Sequence, residues 1–446
     1  MIDPKDIYCD SLLHDSCGVV FQYQGRIHRA LHERGSKIFE LLSNDNWMDS
    51  LAELGLVRMH KTDLQIPGYN TVIECERISP IIPPPMWTSS MLREAALSLC
   101  EINKELLLRG LVIWDLKGMA NMTFSAQHGP VFMDIGAIHR IDEIENGVLS
   151  TSINSLFEQI ASSFYAPLWL AHSALGRGRL VRQFLEYYRK GPMSSELSKA
   201  MLRRLTIGWR ALPGALRARA LLGSRQYTRF YEVIMHEIRD WGCDGISEAY
   251  ADPCEPSEGQ SVRRSIGEIV RIIGDRLGNL KGKTVFDLCP QEKVGTGIAD
   301  RYAANAYLLT KDSTIAEQYW GLRKKKNKPV LPVVCDIWDR SFHNCCDLEE
   351  SCDVVCLLPS IIDAAMNDKV PIDFIGRVTS SLTRNIAVVG IRNTGTQREY
   401  PFFVSPAQPS DNVLDFVRQA FRKYFRKQEV VNLSDTPGTS ILILHK

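Results

Sequence analysis

Two groups of residues in this 446-residue chain have the types and spacing that chemistry needs. The first is Asp115, Asn121 and Asp134, inside GLVIWDLKGMANMTFSAQHGPVFMDIGAI at 110–138. Phosphoryl transfer uses a carboxylate near the acceptor hydroxyl, an Asn and an Asp on metal, and a cover over the phosphates. Asp134-Ile135-Gly136 follows the strand-like PVFM, as a metal-binding Asp-x-Gly would. The thirteen residues from Asn121 to Asp134 suit a β-hairpin that presents both to one metal. The second group begins at Asp287, which ends the strand-like TVFD, and continues through Gly295, Gly297, Asp312 and Asp336. An acid closing a first strand, a Gly-containing turn, and an acid closing the second strand to take ribose hydroxyls form the recognition logic for an adenosine-bearing cofactor. Gly295-Thr296-Gly297 precedes a helix expected from Ile298, AYLLTKD ends at Asp312, and VLPVVCD ends at Asp336, where adenine is expected.

Both groups depart from their patterns. Asp115 to Asn121 is one residue longer than Asp-x-x-x-x-Asn. No Gly-rich loop or Val-Ala-Ile-Lys strand lies upstream, so the phosphates lack their usual cradle and lysine. Use of ATP and Mg²⁺ is therefore not expected, and a scaffold whose polar residues cap turns is the alternative. In the second group Cys289-Pro290-Gln291-Glu292-Lys293 stands where the Gly-rich turn should follow the strand.

The elements that must position these residues follow from periodicity. Short strand-like runs (GVVFQYQ, NTVIECERI) and a helix near 36–55 precede IIPPPMW at 81–87, a hinge because proline removes donors and fixes φ. Leu92, Ala95, Ala96, Leu99 and Ile102 recur at helical spacing over 88–109. Long helical patterns cover 151–240, with anchors Phe157, Phe164, Trp169 and Tyr187 and breaks at Gly191-Pro192 and Pro213-Gly214. Strand-like runs at 284–288, 307–310, 330–335, 353–358 and 386–391 alternate with helical segments, and VVNL and SILILHK form a terminal antiparallel pair. That alternation predicts a doubly wound, mostly parallel sheet. The polar stretch at 243–260 is the best linker.

Composition sets outer bounds. Hydrophobic residues make up 45% and charged residues 24% of the chain, as in globular proteins. No apolar run reaches the roughly 18–20 residues of a membrane span, and MIDPKDIYCD lacks a signal pattern, so a cytoplasmic protein with reduced thiols and no membrane partner is expected. Cys345, Cys346, Cys352 and Cys356 lie near His343 without paired C-x-x-C knuckles, so no metal centre is assigned. Net charge is +1, yet residues 176–229 hold thirteen Lys/Arg against two Glu. Nucleic acid could meet that segment, but solvated helix faces are favoured.

From Val19 to Lys446 the chain resembles bacterial two-domain proteins, the nodulation protein NoeA-related class I S-adenosylmethionine (SAM) methyltransferases with a kinase-like N-terminal half. The resemblance rests on WTSSMLREAALSLCEI (87–102), GLVIWDLKGMANMTF with PVFMDIGAI, EQIASSFYAPLWLAHSALGRG (158–178), KGKTVFDL (281–288), CDVVCLLPSIIDAAMNDKVPIDFIGRV (352–378) and ILILHK. It implies an α/β and α+β chain: a kinase-like, pseudokinase domain over 1–240 with a helical C-lobe, a linker over 241–262, and a Rossmann-type seven-strand methyltransferase domain over 263–446. It implies SAM as cofactor and methyl transfer to a small molecule, sugar or peptide of a specialised pathway. The alternatives are a catalytically degenerate scaffold that binds a protein partner and, more remotely, a phosphotransferase. Relatives resemble DLGCxTG where this chain has DLCPQEKVGTG. They carry a His-His pair where Ile362-Asp363 stands, which makes Asp363 the candidate proton acceptor, with helix capping as its other reading.

Overall fold

The structure is a computed structural model that describes residues 8–15, 17–114, 116, 121–146, 156, 159–165, 168–169, 213–241, 260–290, 293–326, 328–338, 348, 351–358, 370–392, 413–434 and 439–446. Its contacts form two compact units. The first comprises Met1–Ser79, Pro83–Pro85 and Ser89–Cys243, and the second comprises Pro80–Ile82, Met86–Thr88 and Asp244–Lys446.

The first unit begins with five antiparallel strands: β1 (Tyr8–Asp15), β2 (Gly18–Tyr23), β3 (Arg26–Leu31), β4 (Met59–Lys61) and β5 (Thr71–Cys75), in the order β1-β2-β3-β5-β4. Val19, Phe21, Ala30 and Val72 share one face, packed against Leu64, Ile66 and Tyr69. Successive strand residues alternate faces, so Ile27, Arg29 and Leu31 of β3 point the other way. The helix expected over 36–55 is two helices, α1 (Glu33–Ser43) and α2 (Trp47–Glu53). Asp45 and Asn46 adopt φ of 56° and 57° between them, a left-handed conformation that Asn and Asp tolerate better than most residues.

Helix α3 (Ser89–Leu107) buries the whole predicted stripe of Leu92, Ala95, Ala96, Leu99 and Ile102. After it come β6 (Leu111–Ile113), the hairpin β7 (Met122–Ser125) and β8 (Gly129–Phe132), and β9 (Ile138–Arg140), which pairs back on β6. Then follow α4 (Ile141–Glu145), α5 (Pro213–Gly223) and α6 (Tyr227–Asp240), the last packed on α3. Pro213 and Gly214 are the first described residues of α5, and the residues just before them lie outside the described residues. Phe164 is buried, whereas Phe157, Tyr187 and Gly191-Pro192 lie outside the described residues.

The second unit alternates α7 (Gln260–Leu277), β10 (Thr284–Asp287), α8 (Val294–Tyr302), β11 (Asn305–Thr310), α9 (Ser313–Lys326), β12 (Val330–Val334), β13 (Cys352–Leu357), α10 (Ile372–Leu382), β14 (Thr383–Arg392), α11 (Val413–Phe421), β15 (Lys427–Asn432) and β16 (Thr439–His445). Seven strands form one sheet in the order β12-β11-β10-β13-β14-β16-β15. The first five are mutually parallel, and β16 runs antiparallel to both β14 and β15. This is the Rossmann-like sheet with a reversed final hairpin that strand-helix alternation predicts. Helices α7 and α8 cover Val285, Val354, Cys356 and Val388, and α8 and α9 cover Ala306, Leu308 and Val330 on the same face. Cys352 and Cys356 sit on β13, where burial pushes both thiols up and keeps them protonated.

Asp353 locks the opposite, amino-terminal ends of the parallel strands. Its Oδ2 accepts from the Thr284 N–H at 2.9 Å and its Oδ1 from Asn385 Nδ2 at 3.3 Å, with Lys283 and Arg384 within 3.6 Å. Asp353→Ala leaves the buried Thr284 N–H unpaired, and we expect a loss of about 1–3 kcal/mol in urea unfolding. A loss below about 0.5 kcal/mol would assign that N–H another partner.

Candidate functional site

The parallel strands end along one edge of the sheet: Asp287 is in register with Leu308 and Cys356, and Thr310 with Val334. Open α/β sheets bind ligands outside the carboxyl ends of their strands, where the strand order reverses. Here that point lies between β10 and β13, beside Asp287.

Asp287 is fully buried, and both of its carboxylate oxygens hold backbone. Oδ1 accepts from the Cys289 N–H at 3.0 Å and Oδ2 from the Gly295 N–H at 2.7 Å. A β-carbon at 295 would lie 2.7 Å from Asp287 Cβ, so glycine is what lets α8 come this close. Helix α8 begins at Val294, four residues earlier than the sequence predicts, which puts Gly295 and Gly297 in its first turn. Lys293 caps it with φ of 60°, and the Asp287 carboxylate favours a helix N-terminus electrostatically. At Gly297 a β-carbon would approach Val270 Cγ2 of α7 at 3.0 Å, so helix packing already explains that glycine.

Asp312 and Asp336 stand two residues beyond β11 and β12 on this same edge, and both are exposed. Asp312 Oδ1 caps α9, accepting from the Thr314 N–H at 2.8 Å and the Ile315 N–H at 3.4 Å. Its Oδ2 takes no hydrogen bond among the described residues, which leaves an oxygen for a ligand hydroxyl. Asp336 Oδ1 accepts from the Trp338 N–H at 3.1 Å. Asp363 lies outside the described residues. The described residues between 288 and 297 are held within the protein. Leu288 N–H donates to Cys356 O, Lys293 N–H to Pro290 O, Gly297 N–H to Lys293 O, and the Tyr319 hydroxyl to Pro290 O.

In the first unit, Asp115 also lies outside the described residues. The β7–β8 hairpin sets Asn121 opposite Met133, the residue before Asp134: Met133 N–H donates to Asn121 O at 2.8 Å. Asp134 Oδ1 then accepts from the Gly136 N–H and from Arg29 Nη1, both at 2.8 Å. Arg29 Nη2 also donates to Asp15 Oδ2, while Asp15 Oδ1 accepts from the N–H groups of Cys17 at 2.7 Å and Gly18 at 3.0 Å. The Arg29 side chain is 4% exposed. Burial opposes its charge, yet Asp134 and Asp15 together raise its pKa. A second knot lies alongside: Arg34 donates to Cys17 Sγ at 2.6 Å, to Ile138 O at 3.0 Å and to His139 Nδ1 at 2.7 Å. Burial first, and the Arg34 charge next, push the His139 pKa down to about 4. His139 is therefore neutral near pH 7, with Nδ1 as the acceptor.

Sequence reasoning missed Asp15, Arg29, Arg34 and His139. One signal was available for Arg29: it shares a strand face with Ile27 and Leu31, so a charge there had to find a partner.

No family model matches the chain, and no curated protein matches it significantly. Among solved structures, a magnesium protoporphyrin IX methyltransferase from Synechocystis with bound SAH is similar at 9% identity and a TM-score of 0.31, covering 47% of this chain and 99% of that one. A TehB-like SAM-dependent methyltransferase from Corynebacterium glutamicum is similar at 12% identity and a TM-score of 0.28, covering 41% of this chain and 94% of that one. A protein assigned as an O-methyltransferase from Nostoc punctiforme is similar at 12% identity and a TM-score of 0.30, covering 44% of this chain, which spans 63% of its length. These likenesses carry no argument of their own, and the Rossmann-like assignment rests on the sheet order. Among the described residues no helix is long and apolar enough to cross a membrane.

Proposed function

We propose that the second unit is a SAM-dependent methyltransferase acting on a small molecule, sugar or peptide of a specialised pathway. The observation that carries this reading is the reversal of strand order at Asp287, with Asp312 on the same edge presenting a carboxylate oxygen that takes no hydrogen bond among the described residues. The residues fit such a cofactor. Asp287 would hold the turn, Gly295 would let α8 approach, Asp312 would take the ribose hydroxyls, and Asp336 would lie toward adenine. Gly297, read from sequence as part of the cofactor turn, would serve by packing α8 against α7. When bound, SAM supplies the methyl group, and Asp363 is the proposed proton acceptor for the incoming nucleophile. A substrate or protein partner would be recognised by loops at this edge, because motifs do not specify acceptor pockets.

One observation favours the alternative, a degenerate scaffold. The amides of Leu288, Cys289, Lys293, Gly295 and Gly297 are all spent within the protein, so these described residues of the turn offer a ligand no backbone donor. For the first unit we propose a kinase-like, pseudokinase scaffold, supported by the five-strand antiparallel sheet and by the β7–β8 hairpin, which is flanked by Asn121 and Asp134.

Calorimetry of the full chain with SAM and its demethylated product tests the cofactor. Asp312→Ala should weaken binding by about one to two decades, because ribose hydroxyls left unpaired cost roughly 1–3 kcal/mol. Unchanged affinity would move the ribose away from Asp312. Failure of both ligands to bind the wild type would leave the scaffold reading.

A further inference from the structure

We propose that the first unit contains a self-occupied site, in which the Arg29 guanidinium stands where a bound cation's charge would otherwise stand and latches the Asp15 turn onto the 134–136 loop. The inference is independent of whether the second unit binds SAM. A divalent ion on Asp134 must share a carboxylate whose Oδ1 already carries Arg29 Nη1 and the Gly136 N–H, each at 2.8 Å. It would also face a guanidinium that is almost fully buried and cannot lose its proton. The metal ion that Asp-x-Gly implies therefore does not fit this arrangement.

The backbone donors of the adjoining β1–β2 turn are also spent within the protein. The turn between β1 and β2 is closed by Asp15 and Gly18, and Asp15 Oδ1 accepts from the N–H groups of both Cys17 and Gly18. Those amides thus point at a protein carboxylate rather than toward a ligand anion. From the other side Gly136 lies against the same cluster. A β-carbon there would overlap Asp15 Oδ2, Arg29 Nη2 and Asp134 Oδ1, so nothing larger than glycine fits while the latch is closed. Arg34 extends it by joining Cys17 Sγ of the turn to Ile138 O and His139 beyond the loop. Four chain segments, ending β1, within β3, in α1 and after β8, are tied by these ion pairs and hydrogen bonds, and Glu143 lies 3.7 Å from Arg34 Nη2.

The test uses the full chain, with Mn²⁺ followed by electron paramagnetic resonance and a fluorescent ATP analogue followed by anisotropy. The wild type should show no Mn²⁺ or nucleotide site dependent on Asp134 and tighter than about 1 mM. Asp134→Asn is nearly isosteric and keeps an oxygen for Gly136. It should lower the melting temperature by at least about 3 °C and leave both titrations unchanged. Asp15→Asn should act in the same direction. Saturable Mn²⁺ or nucleotide binding that Asp134→Asn abolishes would overturn the proposal. So would a melting temperature untouched by both substitutions. Binding that survives Asp134→Asn belongs to another site and, with a lowered melting temperature, leaves the latch standing.

Discussion

Arg29→Met should destabilise the first unit by about 3–5 kcal/mol, the range found when one partner of a buried ion pair is removed. The reason is asymmetric. The pair itself adds little net stability, because desolvating three charges offsets most of their attraction. Removing the guanidinium, however, leaves Asp15 and Asp134 facing each other with side chains 26% and 19% exposed and no counter-charge. Lysine should not rescue the loss fully, since a single ammonium cannot span both carboxylates as the guanidinium fork does. Adding Asp134→Asn to Arg29→Met should recover part of the loss, because it removes one of the stranded charges. Hydrogen exchange of β3 peptides across a urea series isolates this unit from the other. A loss under about 1 kcal/mol for Arg29→Met would mean that water reaches the carboxylates and that the cluster behaves like an exposed pair.

Legibility in the sequence followed the physics of each feature. The parallel sheet was readable because its strands are buried on both faces, so VLPVV and the VVCL that follows Asp353 appear as apolar runs between helices. In the terminal hairpin the same holds for β16, whose Ile441–Leu444 are buried, whereas β15 is a partly exposed edge strand. Strands β1, β3 and β4 were not, because RIHRAL and MHK mix charge with apolar residues on both faces. The start of α8 was misplaced because two glycines in a first turn look like a loop, and only the Asp287 contact shows why they are helical. Asp287, Asp312 and Asp336 could be placed on one edge from strand ends alone. Asp134 was found, but its partner was not: 105 residues separate it from Arg29, and no local pattern encodes a pairing at that distance.

The first unit should also lose stability as pH falls through the range where histidine ordinarily titrates. His139 has a folded pKa of about 4, against an unfolded value near 6.5. Between those values the unfolded chain binds a proton that the folded chain refuses, so stability rises with pH in that window. The contribution is complete above about pH 6.5 and falls away toward pH 4, by about 3 kcal/mol over the whole interval at 1.36 kcal/mol per unit. His28 acts with the same sign, since burial lowers its pKa too, although Glu74 partly opposes this. His139→Gln retains an acceptor for Arg34 and cannot take the proton, so its unfolding free energy should depend less steeply on pH than that of the wild type between pH 6.5 and 5. The comparison is best made above pH 5, where carboxylates contribute little slope. Parallel curves for the two proteins would show that His139 is protonated in the folded chain without penalty. In that event Arg34 Nη2 could not be donating to Nδ1, because a protonated imidazole has no acceptor to offer.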